Sequence, residues 1–118
     1  MMKKLLIAAL LMAAPLQAQE IASGPGGVLR ALDKTSGNTI DIDIIKGQSV
    51  SLGNLSIVMI DCRYPVADPA ANAYAALEVS EVGSAGTIFS GWMIGSAPAL
   101  NGLEHQRYDL WVMRCTTS

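Results

Sequence analysis

The chain has 118 residues, of which 51% are hydrophobic and 15% charged, and its formal net charge is −2. This length is enough for one domain with its own core. A weakly acidic chain lacks the basic stripe that nucleic-acid binding requires and gains no attraction to anionic lipid headgroups, so we expect neither as a partner.

The first 18 residues have the order of a signal peptide. Two lysines stand within residues 1–4, an apolar run covers residues 5–14, and Pro15 and Ala18 precede the expected cleavage site. The run has about half the length that a bilayer span needs, although an uncleaved anchor is the alternative. We therefore expect an exported protein whose mature chain has six basic and ten acidic residues, a net charge of −4, and no transmembrane segment.

The mature chain is predicted to begin with a flexible segment and to continue as one β domain over residues 28–118. Residues 19–27 are small and polar and contain Gly-Pro-Gly-Gly, which is typical of a flexible lead-in. Residues 28–33 and 39–45 predict a hairpin around a glycine-containing turn. The second strand of this hairpin alternates isoleucine with aspartate, which is the pattern of a half-buried strand.

Further short strands follow along the chain. Residues 73–82 alternate as a strand does, although their alanines also favour a helix. The other predicted strands are 49–52, 55–62, 87–94 and 107–116, with loops at 63–72 and 95–106. Six or seven short strands without a long helix predict an all-β fold, either a small antiparallel sandwich or a barrel.

The chain has two cysteines, Cys62 and Cys115. In an exported protein the simplest expectation is that they pair, which closes a loop of about fifty residues and stabilises the fold by about 4 kcal/mol. A redox-active pair is a weaker alternative, because exchange proteins usually hold their cysteines two residues apart. Pairing between two chains is the remaining alternative.

The last quarter of the chain holds both tryptophans and the only phenylalanine. Phe89 and Trp92 lie on the predicted strand 87–94, and Trp111 lies on the last predicted strand. Both strands carry apolar residues on both faces, as strands in the middle of a sheet or between two layers do. We therefore expect Phe89, Trp92 and Trp111 in the core, where large rings contribute most to stability.

Glu104, His105 and Asp109 are the candidates for chemistry. A histidine and carboxylates that converge in a cleft can act as acid and base, but we favour the interpretation that His105 bonds to the backbone and orders its loop. A zinc site needs three or four ligands, and one histidine with scattered carboxylates does not supply them. Asp41 and Asp43 could face a calcium ion, but we expect them to form the solvated face of their strand. No nucleophile motif, phosphate loop or cofactor fingerprint occurs, so we expect no enzyme, no cofactor and no metal.

Two segments resemble the DUF2155 family, a group of small exported proteins of alphaproteobacteria. They are Asp-Cys-Arg-Tyr at 61–64, and Phe-Ser-Gly-Trp-Met at 89–93 followed by Ser-Ala-Pro-Ala-Leu-Asn-Gly-Leu-Glu-His-Gln-Arg-Tyr-Asp-Leu-Trp-Val-Met-Arg-Cys at 96–115. The resemblance runs from about residue 49 to Cys115. It implies a periplasmic location and a disulfide between Cys62 and Cys115, and it supplies no catalytic residues. Genes of the family lie near genes for accessory proteins of respiratory complex I, which suggests an envelope complex.

We therefore expect a non-catalytic periplasmic β domain that docks on a protein complex of the envelope or inner membrane, with a respiratory complex as one such partner. The alternative is a protein that binds a small ligand or acts as a weak hydrolase through Glu104, His105 and Asp109.

Overall fold

The computed structural model describes residues 19–84 and 86–117. The predicted signal peptide, residues 1–18, lies outside the described residues. The eight strands are β1 (Ile21–Ser23), β2 (Gly26–Asp33), β3 (Thr39–Ile45), β4 (Ser49–Leu52), β5 (Leu55–Pro65), β6 (Tyr74–Glu81), β7 (Thr87–Ile94) and β8 (Tyr108–Thr116). The all-β prediction is confirmed, and no helix in the described part of the chain is long and apolar enough to cross a bilayer.

The strands form two antiparallel sheets. In the five-stranded sheet β5 pairs with β6 along one edge and with β1 and β4 along the other, and β6 pairs with β7. In the three-stranded sheet β2 lies between β3 and β8. Because the sheets are separate, the fold is a sandwich and not a barrel. β7 and β8 are edge strands of different sheets.

The core fills the space between the two sheets. Leu29 and Val112 from the three-stranded sheet and Ile57 and Leu77 from the five-stranded sheet are each at most 1% exposed. Phe89 is 8% exposed and belongs to the same cluster, as predicted. Burying an aliphatic side chain of this size contributes about 1.5–3 kcal/mol, so this layer dominates the stability of the domain.

Neither tryptophan lies in the core, contrary to the prediction. Trp92 is 39% exposed, and Trp111 is half-buried on the outer face of β8. The residues that follow them, Met93 and Val112, face the core instead. The prediction placed both strands in the middle of a sheet with both faces covered. In a two-layer sandwich each sheet is covered on one face, so the apolar residues of the other face meet solvent.

The predicted disulfide is confirmed. Cys62 of β5 and Cys115 of β8 are bonded, with their Cα atoms 5.7 Å apart, and both residues are buried. Since β5 and β8 belong to different sheets, the bond links the two layers of the sandwich covalently.

Two β-bulges bring the cysteines into the core. The extra residue is Ile60 in β5 and Met113 in β8. A bulge shifts the alternation of side chains by one position. Met59 before the first bulge and Cys62 after it therefore both face inward. Regular alternation would have placed Cys62 on the outer face, and the second bulge has the same effect on Cys115.

The predicted flexible segment, residues 19–27, contains β1 and the start of β2. Its glycines permit close backbone contacts instead of flexibility. A Cβ on Gly27 would lie 2.8 Å from a carbonyl oxygen of β8 and 3.1 Å from the sulfur of Cys62. A Cβ on Gly24 or Gly26 would overlap a neighbouring carbonyl oxygen. Glycine is thus required where β2 passes the disulfide.

Reduction of the disulfide should lower the melting temperature by roughly 15 °C or more. The bond closes a loop between residues 53 apart, which corresponds to about 4 kcal/mol, and 1 kcal/mol shifts the melting temperature of such a domain by about 4–8 °C. Circular dichroism melts with and without dithiothreitol measure the effect. A Cys62→Ala/Cys115→Ala double variant should melt at the lower temperature and ignore the reductant. Equal melting of the wild-type protein under both conditions would contradict the prediction.

Candidate functional site

The sequence-predicted ligand candidates lie together at the entry to β8. Glu104, His105 and Asp109 line one shallow depression with Lys34. The Lys34 ammonium donates to the His105 carbonyl oxygen at 2.6 Å and lies 3.5 Å from Asp109 Oδ1. A lysine therefore offsets the charge of Asp109 and ties the loop to the β2–β3 turn.

The imidazole of His105 is engaged by the protein itself. Its Nδ1 accepts hydrogen bonds from the backbone N–H groups of Arg107 at 3.1 Å and Tyr108 at 3.2 Å. Its ring stacks on that of Tyr108, with the centroids 5.7 Å apart. Its Nε2 lies 3.8 Å from Glu81, a carboxylate on β6 that no sequence signal connected with it. With Nδ1 occupied, the geometry favours the loop-ordering interpretation over acid–base work.

The same loop is held at further points. The Arg107 guanidinium donates to Asp33 at 3.0 Å, and together with the Thr35 hydroxyl it holds the pKa of Asp33 well below its usual range. The side chain of Leu103 is 6% exposed and joins the core cluster. The loop from 95 to 107 is therefore a packed part of the fold.

No metal site is visible among residues 19–84 and 86–117, where no three His, Cys, Asp or Glu side chains group together. Asp41 is one of the two aspartates considered for calcium. Its carboxylate accepts two hydrogen bonds from the Arg30 guanidinium, at 2.7 and 3.1 Å. These bonds lower the pKa of Asp41. Asp43 is exposed on the same strand face.

The outer face of the five-stranded sheet carries a group of residues that are distant in the sequence and that no motif connects. Cross-strand register places outward residues of β5, β6 and β7 side by side in two adjacent rows. We call this surface the Trp92 face; it consists of Asp61, Arg63, Tyr74, Ala76, Trp92 and Ile94.

Trp92 is positioned by a small residue and a cation. Ala76 stands directly opposite Trp92 in the register of β6 and β7. The Arg63 guanidinium carbon lies 5.1 Å from the centroid of the Trp92 ring. A cation–π contact of this kind contributes about 0.5–1 kcal/mol at an exposed site. Trp92 is 39% exposed and the Arg63 side chain 53% exposed, so both remain available to another molecule.

Asp61 fixes the position of Arg63. Its Oδ2 accepts from Arg63 Nε at 2.8 Å, its Oδ1 accepts from the Ser23 hydroxyl, and Lys46 Nζ lies 3.5 Å away. Burial raises the pKa of this carboxyl, but the Ser23 and Arg63 side chains, the Cys62 amide and Lys46 lower it further, to about 2. Through these contacts the Asp61 carboxylate links β1, β5 and the turn after β3 at the border of the Trp92 face.

One sequence signal could have found Trp92. On β7, Ile88 and Trp92 lie on one face, and Phe89 and Met93 lie on the other. If only one face of the strand is buried, one of these two pairs must be exposed. No such signal exists for Arg63, because its approach to Trp92 depends on which strands pair.

Replacing His105 with alanine should destabilise the fold by about 1–2 kcal/mol, because two backbone amides lose their acceptor. Glu104→Ala is the matched control, since Glu104 is exposed, and it should change stability by less than about 0.5 kcal/mol. Urea unfolding followed by tryptophan fluorescence measures both. Equal effects of the two substitutions would refute the loop-ordering role.

The pKa of Asp61 also sets a pH dependence. A lowered pKa contributes stability above the unfolded value of about 3.9, and this contribution is lost as the pH falls toward the folded value of about 2. We expect urea midpoints to fall between about pH 4 and pH 2. Asp61→Asn should lower stability at pH 7 and flatten this part of the curve, whereas Asp68→Asn in an exposed loop should do neither. Parallel curves for the wild type and Asp61→Asn would count against the assignment.

The region that matches a known protein family covers most of the described domain. Residues 27–115 match the family described as "Uncharacterized protein conserved in bacteria (DUF2155)". The match begins at Gly27, well before the resemblance recognised from about residue 49, and it includes nearly all of β2 as well as both cysteines. Neither a curated protein nor a solved structure matches the chain. The chain belongs to the DUF2155 family.

Proposed function

We propose that this protein is a non-catalytic domain of the bacterial periplasm that docks on a protein complex of the cell envelope, and that the Trp92 face is its docking surface. The observation that carries the proposal is the exposed Trp92 ring held against the Arg63 guanidinium.

The composition of the Trp92 face supports a protein partner. Tryptophan, tyrosine and arginine are the residue types most enriched at the energetic centres of protein interfaces, and Trp92, Tyr74 and Arg63 lie on three adjacent strands. Asp61 and Trp92 restrict the Arg63 side chain before any partner arrives. Such pre-ordering reduces the entropy that binding would otherwise cost.

The loop around His105 supports the non-catalytic part of the proposal. The imidazole lone pair at Nδ1 is bonded to two backbone amides, and Lys34 lies next to Asp109. The depression that Glu104, His105 and Asp109 line is shallow and open to solvent. A small ligand needs a site that encloses most of its surface.

The buried disulfide in a small domain supports export, because such bonds persist in oxidising compartments. Together with the predicted signal peptide and the family, it points to the periplasm. A respiratory complex of the inner membrane is the partner that the family resemblance suggests.

Substitution of Trp92 with alanine should abolish docking without unfolding the domain. The tagged full chain, produced at native level in its source bacterium, is purified from solubilised envelopes. The wild type and the control Val82→Ala should recover the same partner, because Val82 is 72% exposed and lies outside the Trp92 face. Trp92→Ala should recover at least about tenfold less, as loss of an interface centre costs 2 kcal/mol or more.

Melting curves of the three proteins provide the folding control, and they should agree within a few degrees. Recovery of the partner by Trp92→Ala at the wild-type level would remove the Trp92 face from the proposal. A wild-type chain that recovers no partner would argue against docking itself.

A further inference from the structure

We propose that one end of the sandwich binds a small uncharged molecule, about the size of one substituted aromatic ring, which accepts a hydrogen bond from the Tyr108 hydroxyl. The site is a cavity of about 270 Å³ between the β2–β3 hairpin and the end of β4. This cavity is more enclosed than the depression beside His105. It lies between the two sheets and away from the Trp92 face, so the inference is independent of the proposed docking.

The cavity opens where the five-stranded sheet no longer covers β3. Ile40, Ile42 and Ile44 share the face of β3 that points toward the other sheet, and the register of β2 and β3 is regular. Ile44 is buried in the core, Ile42 is half-buried and Ile40 is 51% exposed. The apolar row therefore runs from the core into open space. Ala31, directly opposite Ile40, and Leu52 of β4 complete the apolar walls.

Tyr108 supplies a polar group at these apolar walls. The residue is 6% exposed and lines the cavity. Its ring is held in place, because it stacks on His105 and its backbone N–H donates to His105 Nδ1. The hydroxyl lies beside Gly53 in the turn between β4 and β5, where any Cβ would overlap the oxygen. A glycine in this turn is thus what leaves room for the hydroxyl.

The Tyr108 hydroxyl is free to bind a ligand. Among residues 19–84 and 86–117 it has no hydrogen-bond partner, and no side-chain nitrogen or oxygen there is both sealed from solvent and unpartnered. The hydroxyl must therefore face open space, and the open space that Tyr108 lines is this cavity. A phenol hydroxyl is a hydrogen-bond donor. A single polar group in a mainly apolar cavity fixes the orientation of a ligand, so we expect the ligand to carry a carbonyl or hydroxyl oxygen.

The charges around the cavity favour an uncharged ligand. In the described part of the chain, Asp33 is the only charged side chain that lines the cavity, and its carboxylate accepts from Arg107 at 3.0 Å. An anionic ligand would be repelled by this carboxylate, and a cationic ligand would have to compete with Arg107. A neutral ligand avoids both costs.

The volume of the cavity limits the size of the ligand. An apolar cavity of about 150 Å³ holds one benzene ring, and sites for drug-sized ligands begin at about 300 Å³. A cavity of about 270 Å³ fits one ring with a short polar substituent. Binding would also cover the exposed Ile40 side chain, and removing this apolar surface from water favours the complex.

Two neutral probes of similar shape test the site. Acetophenone carries a carbonyl oxygen, and α-methylstyrene carries a CH₂ group in its place. Both are titrated into the purified wild-type protein, into Tyr108→Phe and into the control Tyr64→Phe. Tyr64 lies on β5 beside β1 and does not line the cavity. Amide shifts in nuclear magnetic resonance spectra give the dissociation constants and locate the site.

Acetophenone should bind the wild type and Tyr64→Phe equally well, and Tyr108→Phe about 3- to 10-fold more weakly, because one hydrogen bond is lost. α-Methylstyrene should bind all three proteins equally, because it has no oxygen to accept the bond. The amides of Ile40, Leu52 and Gly53 should shift with either probe.

Equal affinity of acetophenone for the wild type and Tyr108→Phe would overturn the inference. It is also overturned if neither probe produces saturable shifts at Ile40 and Leu52 up to about 10 mM, or if benzoate, the charged analogue, binds more tightly than acetophenone. If Tyr108→Phe fails to fold, intermolecular nuclear Overhauser effects in the wild type decide. Effects from acetophenone to the Ile40 methyl groups and the Tyr108 ring support the site, and their absence refutes it.

Discussion

The disulfide between Cys62 and Cys115 is the constraint around which the two sheets are arranged. It joins strands of different layers, so both cysteines must face the core at the same depth. The bulges at Ile60 and Met113 meet this requirement by shifting the side-chain alternation. β2 passes close to the disulfide at Gly27. Any Cβ at this position would contact the Cys62 sulfur, so the residue must be glycine.

The bulge at Ile60 connects the core to the proposed docking surface. By turning Cys62 inward, it turns Asp61 and Arg63 outward on either side of it. Arg63 then reaches the ring of Trp92 across β6, and Asp61 holds it there. A feature that the disulfide requires inside the sandwich thus also determines which side chains stand on its outer face, and the disulfide and the proposed docking surface share one local geometry.

The last loop performs a comparable double role. Leu103 and the backbone bonds of His105 pack it against the sandwich, while Asn101 caps the Trp92 carbonyl at the edge of β7.

Five of the six basic residues in the described chain form ion pairs with carboxylates. Exposed pairs of this kind contribute about 0–1 kcal/mol each, so they position side chains more than they stabilise the fold.

Seven of the eight strands, all but β1, and the disulfide could be predicted from the sequence alone. The alternation of Ile40, Ile42 and Ile44 with aspartates predicts β3, and two cysteines in a small chain predict their pairing, because both signals are local or purely combinatorial. Which face of β7 is buried depends on how the two sheets pack, and for this reason the prediction that Trp92 lies in the core was wrong. Alternation along a strand defines two faces but does not say which one meets the other sheet. Bulges and cross-strand neighbours, such as Arg63 beside Trp92, arise from pairing between segments distant in the chain, and no single strand carries that information.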